Sequence, residues 1–197
     1  VIPDVTALAK SLGGGKCAMG AMIARREIYM KAYGTPKTAL IHAPATFGGI
    51  GEACITSIEA LNVLYDEDLI GNSAEVGAYL LERLETLHKK YPKIIKEVRG
   101  KGLMIGLEFQ DFSQTLPMIL RPVVAMLDDK LKGSLSGFIG ALLLRDYDIL
   151  VAFTEYNRNV IRLEPPLICN RAHAAQFADS LDDLLSRGII SIVKDFV

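Results

Sequence analysis

Near its beginning the chain carries the stretch 3–15, which reads PDVTALAKSLGGG. The apolar residues 5–9 predict a short buried strand, and Lys10 stands where that strand ends. The three consecutive glycines 13–15 then predict a turn, because glycine adopts backbone angles that other residues avoid. Lys10 is therefore either a surface lysine at a strand end or a buried amine. Burial would lower the pKa of the amine and make it available for Schiff-base chemistry.

The glycine turn does not fit the two common nucleotide-binding patterns. A P-loop would need a glycine in place of Lys10 and a serine or threonine in place of Cys17. A dinucleotide fingerprint would need a helix directly after the glycines, whereas residues 18–24 predict a second strand. The turn therefore does not predict a nucleotide site.

Beyond the turn, apolar periodicity predicts strands and helices in mixed order. Helices are predicted over 25–32, 52–65, 69–91, 116–146 and 171–186, and further strands over 103–109, 149–153 and 160–163. This order predicts an α/β fold for residues 1–68, followed by a smaller α+β domain over 69–197. The apolar stretch 111–144 has two open roles, as a cover for a substrate entrance or as part of a subunit interface.

Composition excludes several classes of protein. The 197 residues carry 22 basic and 23 acidic side chains, for a net charge of −1, and 50% are hydrophobic. This balance is typical of a globular protein and gives no reason to expect a nucleic acid or a membrane surface as partner. No apolar run reaches the roughly 20 residues that span a bilayer.

Three cysteines and three histidines are too scattered to predict a metal site or a disulfide framework, so we expect no metal and a reducing, cytoplasmic location. The chain begins VIPDV, without Met, and runs directly into an apolar segment. This beginning predicts that the sequence is the C-terminal part of a longer protein.

Two further places offer groups that bind ligands. The loop Thr46-Phe47-Gly48-Gly49 combines a hydroxyl with exposed backbone amides, which suits either a phosphate or an ordinary loop. Arg162 lies inside an apolar strand, where a buried guanidinium must be paired. Its partner is either an internal carboxylate, Glu164 or Glu108, or the carboxylate of a substrate.

Four motifs, taken in order, resemble the class III pyridoxal-phosphate aminotransferases over essentially the whole chain. They are PDVTALAKSLGGG at 3–15, His42 with TFGG at 46–49, RGKGLMIGLE at 99–108 and VIRLEPPL at 160–167. Within that family the chain is most similar to the putrescine and ornithine type of enzyme. The resemblance implies the end of a fold-type I large domain, followed by the small C-terminal domain.

The resemblance also implies a role for each candidate residue. Lys10 would bind pyridoxal 5'-phosphate as a Schiff base and then move a proton at the substrate's α-carbon. Thr46, with Phe47, would bind the cofactor, its hydroxyl donating to the phosphate in the neighbouring subunit, which implies a homodimer with shared active sites. Arg162 would bind the carboxylate of the amino acid or oxo acid. The reaction implied is amino-group transfer from an amino acid, diamine or ω-amine to a 2-oxo acid or aldehyde.

The chain departs from the family pattern in two respects. Ile50-Gly51-Glu52 follows the double glycine where the family has Asn-Pro. The family's phosphate loop, ring-stacking aromatic and ring-nitrogen aspartate all precede the lysine, so we expect them in a missing N-terminal portion. An aminomutase or decarboxylase of the same fold type remains an alternative, as does a non-catalytic dimerisation fragment.

Overall fold

The computed structural model describes residues 1–41, 46, 48–111 and 135–196, which form two compact units, Val1–Leu69 and Ile70–Val197. His42, Phe47 and most of the predicted helix over 116–146 lie outside the described residues. Helices and strands are mixed along the chain, so the predicted α/β class is confirmed at that level.

The described part of the first unit is built on an antiparallel strand pair, a short 3₁₀ helix and three α-helices. Its elements in chain order are β1 (Val5–Leu8), a 3₁₀ helix (Lys10–Gly13), β2 (Ala21–Ala24), α1 (Arg26–Tyr33), α2 (Pro36–Ile41) and α3 (Gly51–Asp66). The prediction of a buried first strand is wrong for this chain. Val5 and Leu8 are 47% and 39% exposed, and β1 pairs only with β2 among the described residues.

The second unit packs helices against a four-stranded antiparallel sheet. Its elements are α4 (Leu69–Lys90, beginning at the boundary), β3 (Ile95–Lys101), β4 (Met104–Phe109), α5 (Leu135–Tyr147), β5 (Ala152–Phe153), β6 (Val160–Leu163), α6 (Arg171–Ser186) and α7 (Ile189–Phe196). The strand order is β3-β4-β6-β5. The strands over 103–109 and 160–163 and the helices over 69–91 and 171–186 are thus confirmed within a residue or so at each end.

Strand alternation decides which side chains enter the core of this unit. Ile105, Leu107 and Phe109 of β4 are at most 1% exposed, and they pack with Leu84 of α4 and Leu181 of α6. Successive side chains on a strand point to opposite faces of the sheet. Residues 106 and 108 of β4 and residue 162 of β6 therefore share the opposite, more polar face.

Ion pairs between α4 and α6 hold the two helices in register. Glu75 pairs with Arg171 at 3.0 Å, Arg83 pairs with Asp179, and the Nζ of Lys90 donates to Asp182 at 2.7 Å. The partners follow the same order along both helices, so the helices run in the same direction. Exposed ion pairs of this kind contribute little to stability because water and salt screen them, so the apolar core supplies the main stabilisation.

Candidate active site

Lys10 occupies a strained position directly after β1. Its φ is 60°, in the left-handed region that favours glycine, and its side chain is exposed. Holding a non-glycine residue there costs about 1–3 kcal/mol, and such strain tends to collect at functional sites. Of the two environments considered for Lys10, the structure shows the surface lysine. In the described part of the chain no carboxylate lies within ion-pair distance of its amine.

The turn that follows Lys10 is short and hydrogen-bonded. The N–H of Leu12 donates to the carbonyl of Ala9 at 3.3 Å, and the N–H of Gly14 donates to the carbonyl of Ser11 at 2.9 Å. Gly14 closes the turn in a left-handed conformation with φ 61°. The lysine is therefore carried by a tight turn rather than by a loose loop.

Thr46 lies in the segment that leads into α3. It is exposed and has turn geometry, as do Gly48 and Gly49, and α3 begins at Gly51. Backbone N–H groups at a helix N-terminus lack helical partners and bind anionic groups such as phosphate, so a hydroxyl in the segment before α3 is a candidate for phosphate binding. Lys10 and Thr46 both belong to the first unit, and Phe47 lies outside the described residues.

Arg162 belongs to the second unit, and the prediction that it is buried is wrong. Its side chain is 47% exposed, because Ile161 and Leu163 take the core positions of β6 and place Arg162 on the polar face. Its Nε lies 3.2 Å from Oε2 of Glu164. Of the two internal partners considered, Glu164 is therefore the one that Arg162 contacts.

The other considered partner, Glu108, belongs to a separate ionic cluster. Its carboxylate accepts hydrogen bonds at 2.7 Å from Lys96 and from Arg99, although the residue is only 6% exposed. The hydrogen bonds from Lys96 and then Arg99 lower the pKa of Glu108 to about 2. Glu108 thus joins β3 to β4 as a charged group that is already paired.

A pocket of about 640 Å³ lies beside Arg162 within the second unit. Arg162 and Glu164 line it together with apolar side chains, among them Leu80, Val151 and Phe177. A pocket of this size and mainly apolar lining accommodates a small organic molecule. The guanidinium of Arg162 gives it a group that binds carboxylates.

Two other kinds of feature are absent from the described ranges 1–41, 46, 48–111 and 135–196. These ranges contain no group of three or more histidine, cysteine, aspartate or glutamate side chains placed to hold a metal ion. Within the same ranges no helix is both long enough and apolar enough to cross a bilayer.

Sequence and structure comparisons agree on the family. Residues 1–185 match the class-III aminotransferase family. The chain is 29% identical, over 205 residues, to aminotransferase PigE of Serratia sp. strain ATCC 39006, covering 90% of this chain and 24% of that protein.

Solved transaminase structures are similar over nearly the whole chain. The amine transaminase of an uncultivated Pseudomonas species, in its PLP-bound form, matches with a TM-score of 0.73 and 30% identity, covering 94% of this chain and 38% of that one. The ornithine aminotransferase of Toxoplasma gondii ME49 matches with a TM-score of 0.71 and 27% identity, at the same coverages. The chain thus spans well under half the length of the relatives that it matches. With residues 1–185 of its 197 matched, the chain belongs to the class-III aminotransferase family.

Proposed function

We propose that this chain is the lysine-bearing C-terminal part of a pyridoxal-phosphate-dependent aminotransferase. The enzyme would transfer an amino group from an amino acid, diamine or ω-amine to a 2-oxo acid or aldehyde. The observation that carries the proposal is Lys10: a lysine held at φ 60° in a tight turn, without a carboxylate partner in the described part of a family-matched segment. Residues 1–68 would end the cofactor-binding domain, and residues 69–197 would form the small domain.

The residues of this chain fit the cofactor at two points. The primary amine of Lys10 suits the aldehyde of pyridoxal phosphate and would hold it as a Schiff base. The hydroxyl of Thr46, in the segment that precedes α3, suits the phosphate of the cofactor in the neighbouring subunit, and Phe47 is a further proposed contact. When bound, the cofactor supplies an electron sink for the carbanion formed at the substrate's α-carbon.

Each residue then has a defined task. Lys10, as a free amine, would move a proton between the substrate's α-carbon and the cofactor. It would act first as a general base and then as a general acid. Thr46 would anchor the phosphate, and Arg162 would orient the substrate by its carboxylate. We further propose a homodimer with shared active sites, located in the cytoplasm, that also requires an N-terminal portion absent from this sequence.

The proposal is tested by trapping the cofactor on the full-length polypeptide. After addition of pyridoxal phosphate we expect a visible absorption band that borohydride removes, and peptide mapping should place the reduced label on Lys10. Label spread over surface lysines, or no borohydride-sensitive band, would contradict the assignment of Lys10. The readout is covalent chemistry at one residue, so it does not depend on knowing the amino donor.

Replacing Arg162 with Ala should raise KM for substrates that carry a carboxylate and leave KM for other substrates nearly unchanged. Because a hydrogen bond to a charged group contributes about 1.5–3 kcal/mol, KM for a 2-oxo acid should rise about 10- to 100-fold. KM for a simple diamine, which has no carboxylate, should stay within about twofold of wild type. Steady-state kinetics with both substrates measure the difference.

Arg171→Ala is the matched control for that experiment. Arg171 also sits in the second unit and also pairs with one exposed carboxylate, Glu75, at 3.0 Å. Its removal should leave both KM values near wild type. Equal changes for oxo acid and diamine in Arg162→Ala would show that Arg162 is structural.

A further inference from the structure

We infer that α3 positions the catalytic lysine: contacts of Ala60 and Ala53 with the turn at 13–17 fix the direction in which Lys10 presents its amine. The inference rests on the proposed function of Lys10. Ala60 is accordingly a positioning residue that acts through Lys10.

The first contact joins Gly14 to Ala60. A Cβ built on Gly14 would lie 2.9 Å from the Cβ of Ala60, closer than real Cβ contacts allow. The turn therefore approaches α3 so closely that it leaves no room for another carbon atom. Gly14 also has φ 61°. The turn therefore requires glycine at this position for two reasons, the left-handed backbone angle and the lack of room for a Cβ.

The second contact runs through Cys17. Its thiol lies 3.8 Å from the carbonyl of Gly13 and 3.7 Å from the carbonyl of Ala53, within the range of a sulfur hydrogen bond to either. The carbonyl of Ala53 also accepts a hydrogen bond at 2.7 Å from Ser57, which is 5% exposed. The thiol thus connects the turn to a part of α3 that is itself internally bonded.

Displacement at these contacts reaches Lys10 because the intervening chain is stiff. Lys10 begins the 3₁₀ helix that ends at Gly13, and the Gly14 N–H bonds back to the Ser11 carbonyl at 2.9 Å. A shift of Gly14 away from α3 therefore carries the lysine backbone with it.

A size series at Ala60 tests the inference on the full-length polypeptide. Ala60→Leu, and Ala60→Val as a milder enlargement if the leucine variant does not fold, should push the turn off α3. A misplacement of about 1 Å can cost about 100-fold, so kcat for Ala60→Leu should fall by that order while KM stays within about twofold. Ala60→Ser, which adds only an oxygen, should stay close to wild type.

A second readout needs no cofactor. Since Cys17 is held between the turn and Ala53, its alkylation rate in the apo protein should rise several-fold in Ala60→Leu and Ala60→Val, measured by mass spectrometry against Cys169 in the other unit. An unchanged Cys17 rate together with unchanged kcat in both variants would overturn the inference. Failure of wild-type protein to trap cofactor on Lys10 would instead overturn the proposed function, whatever Cys17 does.

Discussion

Lys10→Ala is expected to abolish both the borohydride-trapped label on the chain and transamination by the full-length protein. Loss of a positioned proton carrier alone costs about 10²- to 10⁴-fold in rate. Loss of the amine that binds the cofactor covalently adds to this, because no other lysine in the described chain occupies a comparable left-handed turn. The measurements are single-turnover transamination and peptide mapping after reduction.

Two companion variants separate the chemistry of Lys10 from its charge and its surroundings. Lys16→Ala removes the other lysine next to the glycine turn, which is also exposed, and should retain the label on Lys10. Lys10→Arg keeps a cation at the same place but supplies no free amine, because guanidinium does not lose its proton in proteins. It should behave like Lys10→Ala, and wild-type rates in either Lys10 variant would disprove the assignment.

Sequence periodicity predicted the helices of this protein well where their apolar positions repeat over several turns. Leu80, Leu84 and Leu87 of α4 recur at helical spacing, and all three are buried. The helix over 171–186 agrees at both ends with α6, whose N-cap Asn170 accepts a hydrogen bond from the N–H of His173. Such signals are local, so tertiary context did not have to be known.

The elements that sequence analysis missed depend on context. β3 is an edge strand, and its exposed residues Lys96, Glu97 and Arg99 hide the apolar alternation. Lys96 and Arg99 donate hydrogen bonds to Glu108 of β4, a contact that the sequence does not show. α7 has only eight residues and contains several β-branched side chains, which are weak helix formers. It is held through Ile192, which is 0% exposed and belongs to the core of the unit.

The candidate site was predictable as residue types but not as geometry. The run KSLGGG indicates a lysine on a glycine turn. The contact of that turn with Ala60 could not be predicted, because a small residue on a helix permits close packing but does not show which segment packs there. The sequence does not decide the environment of Arg162, because an apolar strand can be buried on both faces or on one. In an antiparallel sheet one face can remain polar, and Arg162 lies on that face.

Gly77→Ala is the substitution expected to destabilise the second unit most. A Cβ at Gly77 would lie 2.1 Å from the carbonyl oxygen of Gly102 and 2.2 Å from its carbonyl carbon, and backbone atoms cannot move aside as a flexible side chain does. The β3–β4 turn is also tied to α4 by the N–H of Leu103, which donates to Ser73 Oγ at 3.2 Å. The added methyl group must therefore separate the turn from the helix.

Helix propensity and overpacking predict opposite changes in the free energy of unfolding for Gly77→Ala. In an unobstructed helix, glycine is less stable than alanine by about 0.5–1 kcal/mol, so propensity alone predicts stabilisation. Overpacking typically costs 1–3 kcal/mol, and a clash with fixed backbone lies at or above the upper end, so we expect a net loss of about 2 kcal/mol or more. Hydrogen exchange at the amides of β4 under increasing urea reports on this unit alone.

Gly106→Ala provides the comparison within the same unit. Its added Cβ would meet Val160 and Arg99 at 3.7 and 3.8 Å, which is ordinary van der Waals contact, so its effect should be small. If the β4 amides were as well protected from exchange in Gly77→Ala as they are in Gly106→Ala, the close approach of α4 to the β3–β4 turn would not exist in solution. If protection is lost only in Gly77→Ala, glycine is required at position 77 because there is no room for a Cβ. Backbone conformation is not the reason, because Gly77 lies inside a regular α-helix.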